Sequence, residues 1–145
     1  MTDFNQIIDD DFGTNVTPQL YGKMVILWFS FLFSPLVGGV LMLINLLRLK
    51  RSKFAYTVFL ASLAYSLATF YLGFVIEYEV SGRLMILILN LVGGNLLSGS
   101  VWKNTIGSIK FSASNPWIAF AVVLIIYIGV GLASYLAMSP TTFND

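Results

Sequence analysis

Hydrophobic positions along this chain do not alternate with polar ones. They come in four long blocks. Met24–Leu47, Phe54–Ile76, Leu84–Trp102 and Trp117–Met138 hold no charged residue and run for 24, 23, 19 and 22 residues. A helix rises about 1.5 Å per residue and the hydrocarbon core of a bilayer is roughly 30 Å thick, so each block is near or above spanning length. A bundle of soluble helices would carry a polar stripe at helical period, and a membrane barrel would show short segments of alternating polarity. The blocks have neither pattern. They predict an all-α membrane protein with four transmembrane helices arranged as two helical hairpins, in a domain over residues 21–138. A polar, acidic, aperiodic tail over 1–20 and a short tail over 139–145 flank that domain.

The charges between the blocks predict an orientation. Arg48, Lys50, Arg51 and Lys53 separate the first two blocks, and Lys103 and Lys110 follow the third. With four spans, these six share one side, while Lys23 and Arg83 fall on the other. Basic loops stay in the cytoplasm. Both termini and the loop holding Glu77, Glu79 and Arg83 are therefore expected outside. Tyr21, Tyr71 and Tyr78 would mark the outer ends of the spans, and Tyr56, Trp102 and Trp117 the inner ends. The segment 103–116 reads either as a polar loop or as one that dips Ile106 and Ile109 into the interface.

Composition narrows the chemistry. The chain is 57% hydrophobic and 10% charged, with no cysteine and no histidine. Disulfides, thiolate metal sites and nucleophilic catalysis with a histidine base are excluded. No ionisable residue lies inside any block. Proton-coupled exporters, the small multidrug exporters among them, and intramembrane aspartyl proteases need one there. Asp9, Asp10 and Asp11 read as a solvated tail, since no EF-hand glycine or distal glutamate follows. The start, MTDFNQIIDDDFG, has no basic stretch leading into an apolar core, so it does not read as a cleavable signal. Net charge is +1, which leaves no nucleic-acid footprint. The expectation is a protein that is not an enzyme and carries no cofactor and no metal.

What remains is packing. Helices in lipid approach closely through small residues. Ser30, Ser34 and Gly38 recur at four-residue steps in the first block, with Gly39 beside them. Asn90, Gly94 and Ser98 do so in the third, and Gly129, Ala133 and Ala137 in the fourth. The sequence LVGG occurs at 36–39 and again at 91–94, which raises the possibility of a weak internal repeat. Pro35 removes a backbone donor in mid-block and predicts a kink there, either a hinge or a static bend. Asn45, Asn90, Asn95, Ser98 and Ser100 are the main polar side chains within the blocks. They read either as interhelical hydrogen-bond partners or, for Asn90, Asn95, Ser98 and Ser100, as the lining of a polar path.

The stretch FLFSPLVGGVLMLINLLRLKRSK, with Ser34, Pro35, Leu36, Gly38, Gly39, Asn45 and Arg48, resembles the start of a loosely defined group of small bacterial four-span membrane proteins. Trp102, Ile106, Gly107, Pro116 and Trp117 add to the likeness. The resemblance implies a bacterial inner-membrane location and attaches no activity. The functional expectation is a non-enzymatic membrane protein that assembles with itself or with a partner membrane protein through its small-residue faces. The alternative is an oligomeric pore or membrane-permeabilising effector with the third span lining the path.

Overall fold

The computed structural model describes residues 17–75 and 80–138. Expectations for the acidic tail over 1–16, for Glu77, Tyr78 and Glu79, and for the tail over 139–145 lie outside the described residues. The chain is helical and divides into two compact units between Ser114 and Asn115. The first unit holds strand β1 (Gln19–Leu20), helices α1 (Lys23–Leu32), α2 (Pro35–Arg48), α3 (Ser52–Val75) and α4 (Val80–Asn95), a π-helical segment (Leu96–Val101), the short α5 (Trp102–Thr105) and strand β2 (Ser112–Ala113). The second holds α6 (Pro116–Met138). At the start of α6 the Asn115 Oδ1 accepts the Trp117 backbone N–H at 3.0 Å. Pro116 takes the first helical position, where a missing donor costs nothing.

Three helical stretches are long and apolar enough to cross a membrane: Ser52–Gly73, Gly82–Thr105 and Pro116–Ala137. The second, third and fourth blocks therefore become continuous helices, the third running on through the π segment into α5. The first does not. Met24–Leu47 was expected as one span with a kink, and it is instead two antiparallel helices of 10 and 14 residues. At 1.5 Å per residue these arms are about 15 and 21 Å long, each short of the hydrocarbon core.

The reversal has a local cause. A proline ring crowds the residue before it out of the helical region. Ser34 is accordingly extended, with φ −174° and ψ 159°, and Phe33 closes α1 with its N–H on the Phe29 carbonyl at 3.1 Å. Pro35 then opens α2. The doubling back is fixed at the far end by Asn45, buried and fully covered, which pairs with both backbone groups of Tyr21. The Tyr21 N–H donates to Asn45 Oδ1 at 2.8 Å, and Asn45 Nδ2 donates to the Tyr21 carbonyl at 2.9 Å.

Two further corrections follow. The residues just before α1 lie beside the end of α2, so Lys23 shares an end of the unit with Arg48 rather than with Arg83. Residues 19–20 are also part of the fold and not of a tail. β1 pairs in parallel with β2, with Ser112 N–H on the Pro18 carbonyl at 3.0 Å and Ser114 N–H on the Leu20 carbonyl at 2.8 Å. Leu20 is fully buried. Arg48 locks this clip: its guanidinium donates to the Gln19 carbonyl and to Ser114 Oγ and sits 5.6 Å from the centre of the Tyr21 ring. In the segment 103–116, Ile106 is fully buried within the protein.

α3 and α4 run antiparallel. Tyr65 on α3 donates its hydroxyl to the Leu89 carbonyl on α4 at 2.8 Å. α1 packs mainly on α4, and α2 mainly on α3. The outward side of α3 is apolar, with Leu60, Leu67 and Phe70 exposed. That is what a lipid-facing surface requires.

Candidate functional site

The two glycine pairs hold the hairpin in place. A methyl group at Gly38 would collide with Ser30 Oγ and stand 3.2 Å from the Ile26 carbonyl oxygen. One at Gly94 would stand 2.7 Å from Ser30 Cβ and 3.3 Å from the Leu27 carbonyl oxygen. Ser30 is thus gripped from both sides, by α2 and by α4. Its hydroxyl turns inward onto the Ile26 carbonyl at 2.8 Å. The other glycine of each pair borders α3: a methyl group at Gly39 would collide with Ser62 Oγ, and one at Gly93 would stand 2.6 Å from Pro35 Cγ on α2 and 2.8 Å from Tyr65 Cε1 on α3. Successive helical residues point about 100° apart, so a glycine pair lets one helix approach two neighbours at once. That is why the pair occurs twice.

A cleft of about 490 Å³ opens beside this clasp, along the π segment. Asn95, Ser98 and Ser100 line it from the third block, and Asn104 follows from α5. Lys23 on α1 and Lys103 on α5 stand in the same lining, both exposed. Toward the Gly82 end the wall is apolar, from Val92 and Leu96. A π turn carries one residue more per hydrogen-bonded ring than an α turn and commonly marks a functional position. Here it opens the backbone between Gly94, which must press on α1, and Trp102, which is buried. Ser98 is 1% exposed, and its Oγ is one of two buried hydroxyls without a hydrogen-bond partner among the described residues, Ser66 being the other.

The expected polar path is therefore divided. Asn95, Ser98 and Ser100 line one cleft, whereas Asn90 is buried and does not. Among the packing candidates, Ser30, Gly38, Gly39 and Gly94 meet inside the first unit. Ser34 forms the turn. On α6 a methyl group at Gly129 would meet nothing within 4 Å, and Ala133 is exposed. Of the expected basic loop, Arg48 holds β1, and Arg51 donates Nη1 to the Thr105 carbonyl at 3.0 Å, tying the loop to the end of α5. Lys50 takes a left-handed conformation, φ 56°, which lets α2 close and α3 begin. Lys50 belongs to the turn and Lys53 to the first turn of α3. Sequence reasoning missed Lys23, Lys103 and Asn104 as cleft residues, because Lys23 comes there only through the reversal at Ser34.

Comparison with family models, curated proteins and solved structures gives no match.

Proposed function

We propose that this chain is a non-enzymatic integral membrane protein, of the bacterial inner membrane, that binds a polar solute in the cleft along the π segment. The observation that carries the reading is the cleft itself. Irregular backbone at membrane depth is tolerated only where protein buries it or where it borders a water-filled cavity. The turn, closed by the buried Pro35, is the first case, and the π segment borders the cavity. The α1–α2 arms act as a re-entrant hairpin, entering and leaving on one side. Lys23, Arg48, Lys50, Arg51, Lys53, Lys103 and Lys110 then share that side, leaving Arg83 on the other. Seven cations against one supports a cytoplasmic basic end.

The chain has no native cysteine, so a single Ser100→Cys variant, at an exposed position of the cleft lining, tests the cleft. In liposomes, a small water-soluble thiol reagent added at the basic end labels it, and Gly99→Leu in the same chain slows the labelling at least about tenfold by filling the cleft. The space at Gly99 is open except for Asn95 Oδ1 at 3.5 Å, so the substitution obstructs without forcing the backbone. No labelling in either variant removes the reading.

A second reading concerns assembly. The small residues of the first unit are used up against one another. The row of Gly129, Ala133 and Ala137 on α6 remains for a second copy or a partner membrane helix, the close-packing role that such rows serve in lipid. Native mass spectrometry of the wild type and Gly129→Leu tests this. Loss of the higher-order species in the variant supports assembly through α6.

A further inference from the structure

We infer that the cleft along the π segment is a site for a phosphate-bearing anion, with the phosphate held between Lys23 and Lys103. This rests on the solute-binding reading and names the chemistry of its ligand. The described residues include no aspartate or glutamate, so nothing among them neutralises the two cations that border the cleft. An ammonium offers donors only. The neighbouring groups can donate too, though each also carries an acceptor: the amides of Asn95 and Asn104 and the hydroxyl of Ser100. Deeper, the Ser98 hydroxyl is covered and without a partner, a state that costs free energy unless something accepts its proton. A site of two ammoniums, two amides and two hydroxyls suits an acceptor-rich ligand with net negative charge, which describes a phosphate ester.

The cleft is also two-natured. Lys103 and Asn104 lie at the end of the stretch Gly82–Thr105, near headgroup level, and Val92 lies about 16 Å nearer the middle of the bilayer at the helical rise. A charged rim over an apolar wall matches a phospholipid, whose phosphate sits at the rim while its glycerol and first methylenes run along Leu96 and Val92. A soluble phosphate would use the rim alone.

The test titrates the purified full-length protein in detergent with phosphatidylglycerol, phosphatidylcholine and inorganic phosphate, reading the melting temperature. Phosphatidylglycerol at about ten times Kd raises it by about 5 °C. The pair Lys23→Gln and Lys103→Gln abolishes the shift. The pair Lys53→Gln and Lys110→Gln, which removes the same charge from residues outside the cleft, keeps it. An equal shift from inorganic phosphate supports the phosphate site and assigns it to a soluble anion. Equal loss in both lysine pairs, or equal shifts with phosphatidylcholine and phosphatidylglycerol, overturns the inference. The underlying reading fails separately. A labelled Ser100→Cys with no lysine-dependent shift keeps the water-filled cleft and removes the phosphate. An unlabelled Ser100→Cys with a lysine-dependent shift removes the solute cavity and leaves phosphate bound at the rim.

Discussion

Asn45 shows how much one side chain can decide. An asparagine between membrane helices contributes on average about 0.6 kcal/mol through its hydrogen bonds. Here it satisfies two backbone groups of Tyr21, itself 7% exposed. Removing one partner of a buried pair leaves the other unmade, at about 1–3 kcal/mol. Asn45→Ala is therefore expected to lower stability by about 2 kcal/mol or more, read as a melting shift in detergent, whereas Asn95→Ala, on the exposed cleft wall, shifts it little. Gly94 makes the same point through volume. A leucine there must enter the space of Ser30 and Leu27, and overpacking of this kind costs typically about 1–3 kcal/mol. The comparison is Gly131→Leu, off the Gly129 row, where an added methyl would meet nothing within 4 Å; it is expected to leave the melting temperature within about 2 °C, since surface changes stay within about 0.5 kcal/mol.

At the scale of elements, the sequence made α3, the long α4–π–α5 helix and α6 legible, because uninterrupted apolar length is a strong signal for a helix in lipid. It misled at the first block for the same reason. Length and apolarity are the same for one long helix and for two short antiparallel ones, and only the contacts with other elements separate them. Two local signs were present. Ser34-Pro35 stops the helix, and Asn45 is a polar side chain of the kind that fastens two segments. Neither shows on its own that the chain turns back instead of bending. The β1–β2 clip was not legible at all, since two-residue strands have no periodicity. Of the site, Asn95, Ser98 and Ser100 could be named from the polarity of the third block, but the lysines that complete it arrive through the hairpin. The hairpin makes a direct prediction. Single cysteines at Thr17 and Ser52 are expected to react with an impermeant reagent from the same side of the membrane, and one at the exposed Arg83 from the opposite side. Reaction of Thr17→Cys from the same side as Arg83→Cys would restore a single continuous first span.

For the whole molecule, the distribution of polar groups along the bilayer normal sets what the cleft can do. The stretch Gly82–Thr105 is long enough to cross the membrane, but the cleft borders it only from Val92 to Asn104. Between Gly82 and Val92 the chain reads Arg83, then Leu84, Met85, Ile86, Leu87, Ile88 and Leu89, with Asn90 buried in the packing. At about 1.5 Å per residue this leaves roughly 12 Å or more of apolar helix between the cleft and the Arg83 end. The Tyr65–Leu89 hydrogen bond ties α3 to α4 along that stretch, and a methyl group at Gly73 would stand 2.8 Å from Ile86 Cδ1. An apolar stretch of this length is a barrier to ions, and the described residues of the unit supply no ring of charges to lower it. The expected behaviour is a site open from one side and shut from the other. Liposomes carrying the native protein at high density are accordingly expected to retain small ions and dyes, while Ser100→Cys in the same liposomes reacts with reagent supplied at the basic end and not at the Arg83 end. Current across planar bilayers from the native protein would show that the apolar stretch opens, and would move the assignment from a binding cleft to an oligomeric pore.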